Sequence, residues 1–221
     1  MDNKNSTNLP IILAISGASG SIYGLRLLQF LLEHKYGVEL VISNSAKRVM
    51  AQELSLSLSS NLNEVKQQLL SYLKLNISDE YFSVWDHKNI AASISSGSFK
   101  TRGMVIIPAS MGTVGAIASG TSDNLITRAA DVCLKERRKL VIVPREMPFN
   151  TIHLENLLKL SRVGAVIAPA SPGYYSKPKT LTDSIDFVIG KVLDLFEIDH
   201  SLFKRWSKTS DIFSYAMSSP E

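Results

Sequence analysis

The sequence predicts a single α/β domain, with a doubly wound, mostly parallel sheet in a three-layer α/β/α sandwich of Rossmann-like or flavodoxin-like type. Two observations predict it. Short, continuously apolar runs, such as IILAI at 11–15 and LVIVP at 140–144, are typical of strands buried on both faces. Amphipathic helical segments alternate with these runs, and that alternation favours one parallel sheet covered on both faces. A chain of 221 residues can bury such a core in one domain.

The elements follow in chain order. We expect strands at 11–15, 37–43, 81–85, 104–109, 140–144 and 165–170. We expect helices from the turn at 16–21 to about residue 32, over 45–54 and 64–73, from about 113, from about 123, and over 150–163 and 181–196. Segment 55–62 is left unassigned, and 90–100 is predicted as a loop or short helix. One flavoprotein domain then spans 1–221, with a disordered stretch at 1–9 and a tail at 198–221 that docks on the domain or on a neighbouring subunit.

Composition excludes several classes of protein. The net charge is only +4 and no basic cluster carries interleaved aromatic residues, so nucleic-acid binding is not expected. A single cysteine, Cys133, excludes a disulfide framework and fits a reducing cytoplasm; we interpret it as a core residue. The polar N-terminus lacks the apolar region of a signal peptide, and no apolar run is long enough to span a bilayer. No HExxH motif or cysteine pair indicates a metal.

A glycine- and serine-rich turn, SGASGS at 16–21, follows the first strand. Gly17 and Gly20 allow close backbone approach, and the N–H groups of the following helix can bind phosphate, although an ordinary helix cap has the same composition. There is no GxGxxG, and the second strand ends on Ser43 rather than on the acidic residue that holds a dinucleotide ribose. Within that strand we interpret Glu39 as an edge or pairing residue. The turn therefore favours FMN or a simple phosphate ester over NAD.

A second turn of small residues, PASMGT at 108–113, follows the strand at 104–109. Two such turns side by side could frame a mononucleotide. Arg145 and Glu146 lie at the C-terminal end of the strand at 140–144, where ligands bind in open parallel sheets.

The helix before that strand, which Ser122 or Asp123 can cap, carries Arg128 and Lys135 two turns apart on nearly the same stripe. A charged helix face followed by a surface turn explains this spacing about equally well.

In order and spacing, six segments together resemble the UbiX-type flavin prenyltransferases: ISGASGSIYGLRLLQ, VISNSAKRVMAQE, IAASISSGSF, PASMGT, NLITRAADVCLKERRKLVIVPREMPF and APASPGYYSKP. The similarity runs from about residue 10 to 206. It implies an enzyme that joins a dimethylallyl group, taken from dimethylallyl monophosphate, to N5 and C6 of reduced FMN without a metal. The product, prenylated FMN, would serve a UbiD-type decarboxylase, with a link to ubiquinone biosynthesis. The resemblance also implies a cytoplasmic homododecamer.

The resemblance assigns roles to individual residues. It implies FMN contacts for Gly17, Ala18, Ser19, Ser43, Ser110, Met111, Gly112, Thr113 and Arg145. It implies contacts with dimethylallyl phosphate for Arg128, Lys135, Arg145, Tyr175 and Lys191, the last of which is arginine in some relatives. It implies catalytic roles for Glu146, Glu53 and Ser19, and our hypothesis makes Glu146 the proton shuttle. Trp206 matches a C-terminal tryptophan of the family, while segment 55–88 fits the family poorly and receives no assignment.

Two other functions stay open. Flavin-dependent cysteine decarboxylases have similar FMN turns, but they carry a catalytic histidine and an asparagine in the second turn. In this chain His87 lies in roughly the right region but in a segment that matches poorly, and the second turn has Met111 and Gly112 and no asparagine. A flavin carrier without catalytic activity would need only one phosphate site, whereas this chain has four cations at matched positions. Binding of a second phosphate ester distinguishes the enzyme from the carrier.

Overall fold

The structure, a computed structural model, describes residues 9–206. The strands are β1 (Ile11–Ile15), β2 (Val38–Ile42), β3 (Phe82–Trp85), β4 (Gly103–Ala109), β5 (Leu140–Pro144) and β6 (Val166–Ile167). The helices are α1 (Ser21–Glu33), α2 (Asn44–Leu54), α3 (Leu62–Leu73), α4 (Met111–Ala118), α5 (Leu125–Lys135), α6 (Thr151–Arg162) and α7 (Leu181–Leu195). Of segment 55–62, left unassigned from sequence, residues 55–61 contain no helix or strand and Leu62 begins α3, while 90–100 contains one short 3-10 turn, Ser93–Ser95.

The six strands form one all-parallel sheet in the order β3-β2-β1-β4-β5-β6. This confirms the predicted fold class. The chain runs outward from β1 to β3 and then returns to β4 on the other side of β1. The strand order therefore reverses between β1 and β4, and in open α/β sheets ligands bind in the crevice outside the carboxyl ends of the strands at this point.

The core explains why the apolar runs form central strands. All five residues of β1 are at most 1% exposed, as expected for a strand covered on both faces. One face of the sheet, through Ala14, Ile106 and Ile142, packs on α4, α5 and α6. Against the other face, α1 approaches so closely that a Cβ on Gly24 would lie 2.6 Å from the carbonyl oxygen of Ile107. The sheet edge that carries the site is therefore held by rigid packing on both sides.

Two local expectations are corrected. The cap of α5 is Asn124, not Ser122 or Asp123: its Oδ1 accepts from the N–H groups of Ile126 and Thr127 at 3.0 and 3.1 Å, and Thr127 at the third helical position completes a capping box. The strand predicted over 165–170 is only two residues long, because it lies at the sheet edge and pairs on one side.

Glu39 is not at an edge, since β3 covers β2. It is a pairing residue, and its carboxylate accepts from Trp85 Nε1 at 2.6 Å.

Contacts divide the chain into two compact units, Met1–Ala170 and Ser171–Glu221, and the single domain over 1–221 stays a prediction. Within the second unit, Thr180 caps α7 and aromatic rings contact one another around Phe187. The disorder predicted for 1–9 falls, apart from Leu9, outside the described residues, as does the tail beyond Trp206. Among residues 9–206, no helix is long and apolar enough to cross a membrane.

Candidate active site

The two small-residue turns meet at the switch point through one buried hydroxyl. Ser16, 1% exposed, donates through Oγ to the carbonyl of Pro108 at 3.0 Å and accepts from the N–H of Ser110 at 2.7 Å. Its own N–H also donates to Pro108 at 3.2 Å. The end of β1 and the start of α4 are thereby held in one arrangement, and the two predicted cofactor turns form a continuous edge.

The first turn also contacts the start of α2. A Cβ on Gly17 would lie 2.5 Å from Cβ of Ser45, so a glycine is required for this close approach. Ser43, the predicted FMN contact at the end of β2, caps α2 by accepting from the N–H of Ala46 at 3.0 Å. Ala18 is buried and donates its N–H to Ser16 within the turn. The predicted cofactor residues Gly17, Ala18 and Ser43 therefore lie together.

The N-terminus of α1, predicted as a phosphate site, is occupied by a carboxylate. Its cap residue Gly20 has a left-handed conformation and no side chain with which to cap the helix. Glu53, from the last turn of α2, accepts from the N–H of Gly20 at 2.9 Å and from the N–H and hydroxyl of Ser21 at 3.4 and 3.3 Å. Ser19 adds a further side-chain hydrogen bond. Sequence matching put Glu53 among the site residues but could not show that it takes these donors.

The electrostatics of Glu53 follow from these contacts. Partial burial raises the pKa of the carboxyl, but the hydrogen bonds from Ser19, Gly20 and Ser21 outweigh burial and hold the pKa of Glu53 below its usual range. Glu53 is therefore a charged acceptor that fixes the Ser19 hydroxyl.

The N-terminus of α4 has different properties. Ser110 caps it, accepting from the N–H of Thr113 at 3.3 Å and bonding the Thr113 hydroxyl at 3.1 Å. Among the described residues, the N–H groups of Met111 and Gly112 have no hydrogen-bond partner, and nothing lies within 4 Å of the position of a Cβ on Gly112. The Met111 side chain is 7% exposed and belongs to the core, so only its backbone can contact a ligand. The first turn of α4 therefore offers open N–H donors and hydroxyls to an anion.

A cavity of about 420 Å³ lies beside these groups. It is lined by Ser43, Asn44, Ser45, His87, Lys88, Thr113, Asp123, Asn124 and Ile126. His87 lies 3.6 Å from Asp86, and its carbonyl accepts from the N–H of Leu125 at 2.7 Å. Burial lowers the pKa of His87, which favours the neutral imidazole.

Arg145 and Glu146 follow β5, as predicted. Arg145 donates its N–H to the carbonyl of Ala109 at 3.2 Å, which places it beside the second turn, and its side chain approaches Gly20 of the first. The Glu146 side chain is exposed and accepts from the N–H of Met147 at 3.0 Å. Arg145 therefore connects both cofactor turns, whereas Glu146 lies in the following loop.

The two predicted cations of α5 each have an acidic partner. Arg128 Nη1 lies 2.8 Å from Asp131 Oδ2, and Lys135 Nζ lies 2.6 Å from Glu136 Oε1. Cys133, on the same helix, is 1% exposed, which confirms its interpretation as a core residue. Burial raises its pKa to about 12, so the thiol is a poor nucleophile.

Tyr175 and Lys191 belong to the second unit. The Tyr175 ring makes edge contacts with Phe187 and Trp206, each with centroids 5.5 Å apart. Lys191 Nζ lies 3.6 Å from Asp194, which also pairs with Arg205 at 2.7 Å. Trp206 thus contacts a predicted substrate residue within this unit.

Sequence reasoning missed two connecting residues. Ser16 was seen only as part of a turn, because a hydroxyl that links two turns 94 residues apart leaves no local pattern. Arg138 was not singled out, although its guanidinium bonds the carbonyls of Gly97 and Phe99. No group of three or more His, Cys, Asp or Glu side chains in the described ranges is arranged to hold a metal ion.

Comparison of the sequence with known proteins shows the family to which the chain belongs. Residues 1–205 match the family described as Flavoprotein. The flavin prenyltransferase UbiX of Methanocaldococcus jannaschii is 48% identical over 198 residues, covering 90% of this chain and 98% of that protein.

Comparison of the fold with solved structures also finds UbiX proteins. A UbiX protein in complex with FMN and dimethylallyl pyrophosphate is 37% identical, with a TM-score of 0.80 over 92% of this chain and 100% of that one. A dodecameric, FMN-dependent UbiX-like decarboxylase from Escherichia coli O157:H7 is 40% identical, with a TM-score of 0.77 over 90% and 100%. The peptidyl-cysteine decarboxylase EpiD, at 20% identity and a TM-score of 0.52 over 83% of this chain and 98% of that one, shares the fold alone.

Proposed function

Because this chain belongs to the flavoprotein family and, within it, to the flavin prenyltransferases of UbiX type, we propose that its site joins a dimethylallyl group from dimethylallyl monophosphate to N5 and C6 of reduced FMN. Phosphate is released and prenylated FMN is the product. The observation that carries the proposal is the edge made by the two turns, where open N–H donors and hydroxyls lie beside Arg145.

We assign the FMN phosphate to the start of α4 rather than to α1. The N–H groups of Gly20 and Ser21 are bonded to Glu53, whose charge repels a phosphate, whereas the donors of Met111 and Gly112 are open. The cavity bounded by Ser43 and Thr113 accommodates the phosphate and ribityl chain. The flavin ring then extends toward Gly17, Ala18 and Ser19, with Arg145 beside both turns.

FMN supplies the nucleophilic atoms, and this chain supplies charge and position. Phosphate leaves readily only when its charge is neutralised, and Arg128, Lys135, Arg145 and Lys191 are the cations we assign to that task. Tyr175 offers a phenol to the same phosphate. Four cations make a metal unnecessary for this step, and packing beside the ring lowers the barrier by fixing orientation.

Two carboxylates have separate roles in this proposal. Glu146, exposed in the loop after β5, is free to reach a leaving phosphate and acts as the proton shuttle. Glu53 stays charged and acts through Ser19, whose hydroxyl donates to the Glu53 carboxylate and is held by it beside the place we assign to the ring. A hydroxyl that donates to a charged acceptor keeps its oxygen open to accept a hydrogen bond from the ring or to relay a proton.

We further propose a homododecamer in the cytoplasm that delivers prenylated FMN to a UbiD-type decarboxylase. The dodecameric Escherichia coli O157:H7 relative supports the assembly. So does α6, on which Ile152, Leu154 and Leu158 are at least half exposed. A chain with a single cysteine, Cys133, and therefore no internal disulfide fits this location.

The test is a mass spectrum of the flavin released after anaerobic incubation with reduced FMN and dimethylallyl monophosphate. We expect a flavin heavier by one five-carbon prenyl unit. Unchanged FMN despite tight binding would reject the proposal, and a second incubation with a peptidyl cysteine would then test the decarboxylase, with His87 as the first residue to substitute.

Glu146→Gln tests the shuttle. We expect FMN affinity to be retained and turnover to fall by about 10²-fold or more, since general acid–base catalysis contributes 10²–10⁴-fold. Glu33→Gln is the matched control, because Glu33 is exposed at the C-terminal end of α1, away from the turns and from α6. Full turnover in Glu146→Gln would remove Glu146 from the mechanism.

A further inference from the structure

A second cavity lies beyond the carboxyl ends of β2 and β3, on the same edge of the sheet as the cofactor turns. Its volume is about 350 Å³, within the range of small-ligand sites in proteins. Asn44, His87 and Lys88 line both this cavity and the neighbouring one that we assign to the FMN phosphate and ribityl chain. Lys47 and Leu58 line only the second cavity, which we call the Lys47 cavity. Most of its lining comes from segment 55–88, to which the family resemblance assigns no role.

Apolar side chains from several elements line the Lys47 cavity. They come from β2, the loop after α2, the start of α3 and the end of β3: Ile42, Leu58, Leu62, Val65, Val84 and Trp85. The Trp85 ring is held in place because its Nε1 donates to the Glu39 carboxylate at 2.6 Å. Contact with such walls removes an apolar group from water, so the cavity favours a ligand with an apolar body.

Lys47 brings a positive charge to these walls. Its ammonium donates to the carbonyl of Ser59 at 2.7 Å, which is its one hydrogen-bond partner among residues 9–206. An ammonium carries three donors, so two N–H groups of Lys47 remain open. Partial burial lowers the pKa of Lys47, and the charge of Asp86 opposes this change. A partly buried ammonium with open donors is stabilised by an anion that accepts from them.

Lys88 and His87 add to the positive character of the cavity. Burial lowers the pKa of His87; the charge of Asp86 opposes this change, and the charges of Lys88 and Lys47 add to it. Both ammonium groups therefore act on one imidazole. Asp86 is the one carboxylate among the lining residues, and it already accepts from the N–H of Lys88 at 3.0 Å. Two lysines against one aspartate leave an excess of positive charge, which an anionic ligand neutralises.

We propose that the Lys47 cavity is a second ligand site, which takes a small organic anion with one anionic head and an apolar body about the size of a benzene ring. The head accepts from the Lys47 ammonium, and the body lies against Leu58 and Val84. A carboxylic acid and a phosphate ester share this chemistry. The inference does not depend on prenyl transfer, because neither Lys47 nor Leu58 belongs to the site that we assign to that reaction.

The test uses calorimetry with benzoate on FMN-loaded protein, so that the neighbouring cavity is filled and cannot account for the signal. We expect a dissociation constant on the order of 1 mM, because a ligand of so few atoms gains little binding free energy. Acetate has the head without the ring, and benzyl alcohol has the ring without the charge. Each should bind at least about tenfold more weakly than benzoate. Phenyl phosphate distinguishes the sources: if it binds more tightly than benzoate the natural ligand is a phosphate ester, and if more weakly a carboxylic acid.

Two variants locate the binding. Lys47→Met keeps an unbranched side chain but removes the charge, and we expect benzoate to bind at least about tenfold more weakly, with the FMN constant and melting temperature close to wild type. Leu58→Trp leaves every charge in place and fills the cavity, and it should abolish the same binding. Arg48→Met is the matched control, because Arg48 is the next residue of α2, is exposed and does not line the cavity.

Several results would overturn the proposal. If benzoate bound Lys47→Met and Arg48→Met equally well, or did not bind wild type, the cavity would not be an anion site. Acetate that binds as tightly as benzoate would exclude the apolar body. Benzoate binding that survives in Leu58→Trp would lie elsewhere, even if Lys47→Met had lost it. Wild type that binds benzoate in this way but leaves FMN unmodified would support the second site and reject the transferase.

Discussion

Ser16→Ala should separate the two cofactor turns. The Ser16 hydroxyl donates to Pro108 and accepts from the Ser110 N–H, and the site is 1% exposed. The Pro108 carbonyl keeps a second donor, the Ser16 N–H, but the Ser110 N–H loses its acceptor. Each of the two lost hydrogen bonds contributes about 0.5–1.5 kcal/mol to the free energy of unfolding, about 1–3 kcal/mol together. We therefore expect a loss of about 2 kcal/mol in the free energy of unfolding.

Two measurements check this expectation. For a chain of this size, 1 kcal/mol corresponds to about 2–4 °C in the melting temperature, so Ser16→Ala should melt about 4–8 °C below wild type. FMN titration by fluorescence quenching should show a dissociation constant raised about tenfold, equivalent to about 1.4 kcal/mol, because the α4 donors shift against the first turn. Ser119→Ala is the control, since it removes an exposed hydroxyl directly after α4.

One result would refute the reasoning. If Ser16→Ala melted and bound FMN like Ser119→Ala, the hydroxyl bridge would not hold the two turns together. A loss of stability with unchanged FMN affinity would place the FMN phosphate away from α4.

Three further predictions follow. The pKa of Glu53 lies below its ordinary 4.5, so the stability that the charged carboxylate contributes is complete above pH 4.5 and is lost as the pH falls through the lower pKa of the folded state. The melting temperatures of wild type and Glu53→Gln should therefore converge on acidification. A difference in melting temperature that does not change with pH would contradict this. Cys133, with a pKa near 12, should resist iodoacetamide in the native protein and take one label in denaturant, as mass spectrometry can show. Asp131→Asn frees Arg128 from an exposed pair that stabilises by about 0–1 kcal/mol, so dimethylallyl monophosphate should bind up to about fivefold more tightly in calorimetry; weaker binding would exclude Arg128 as a phosphate contact.

The fold was predictable because it depends on patterns of local composition. Runs such as 11–15 and 140–144 are apolar throughout, and only a strand buried on both faces requires that. Boundaries were harder. By residue type alone, Ser122, Asp123 and Asn124 are all acceptable caps for α5. In the structure the cap is Asn124, because Thr127 forms a reciprocal capping box with it. The length of the last strand was overestimated, because an apolar run does not reveal that the strand lies at the sheet edge and has a neighbouring strand on one side only.

The site was predictable to the extent that it is made of turns. The strand order brings Gly17, Ser43 and Ser110 to one edge, as the sequence of elements implied. What composition could not reveal is which donors are already used. Glu53, 33 residues from Gly20 in sequence, accepts hydrogen bonds from the N–H groups at the start of α1. These are the N–H groups that the glycine- and serine-rich turn was predicted to offer to a phosphate. Such competition depends on tertiary contacts, so no local pattern reports it.

Three of the predicted substrate cations are paired with carboxylates, and this pairing affects how readily the product phosphate can leave. Arg128 pairs with Asp131 and Lys135 with Glu136, and in the second unit Lys191 pairs with Asp194, at 2.8, 2.6 and 3.6 Å. Exposed pairs of this kind stabilise by about 0–1 kcal/mol, whereas a phosphate dianion offers a cation more charge and more acceptors. A phosphate can therefore displace each carboxylate at little cost, and the carboxylate takes the cation back when phosphate leaves. An enzyme that must release phosphate in every cycle is better served by cations with such partners than by bare cations, which would hold the product as firmly as the leaving group.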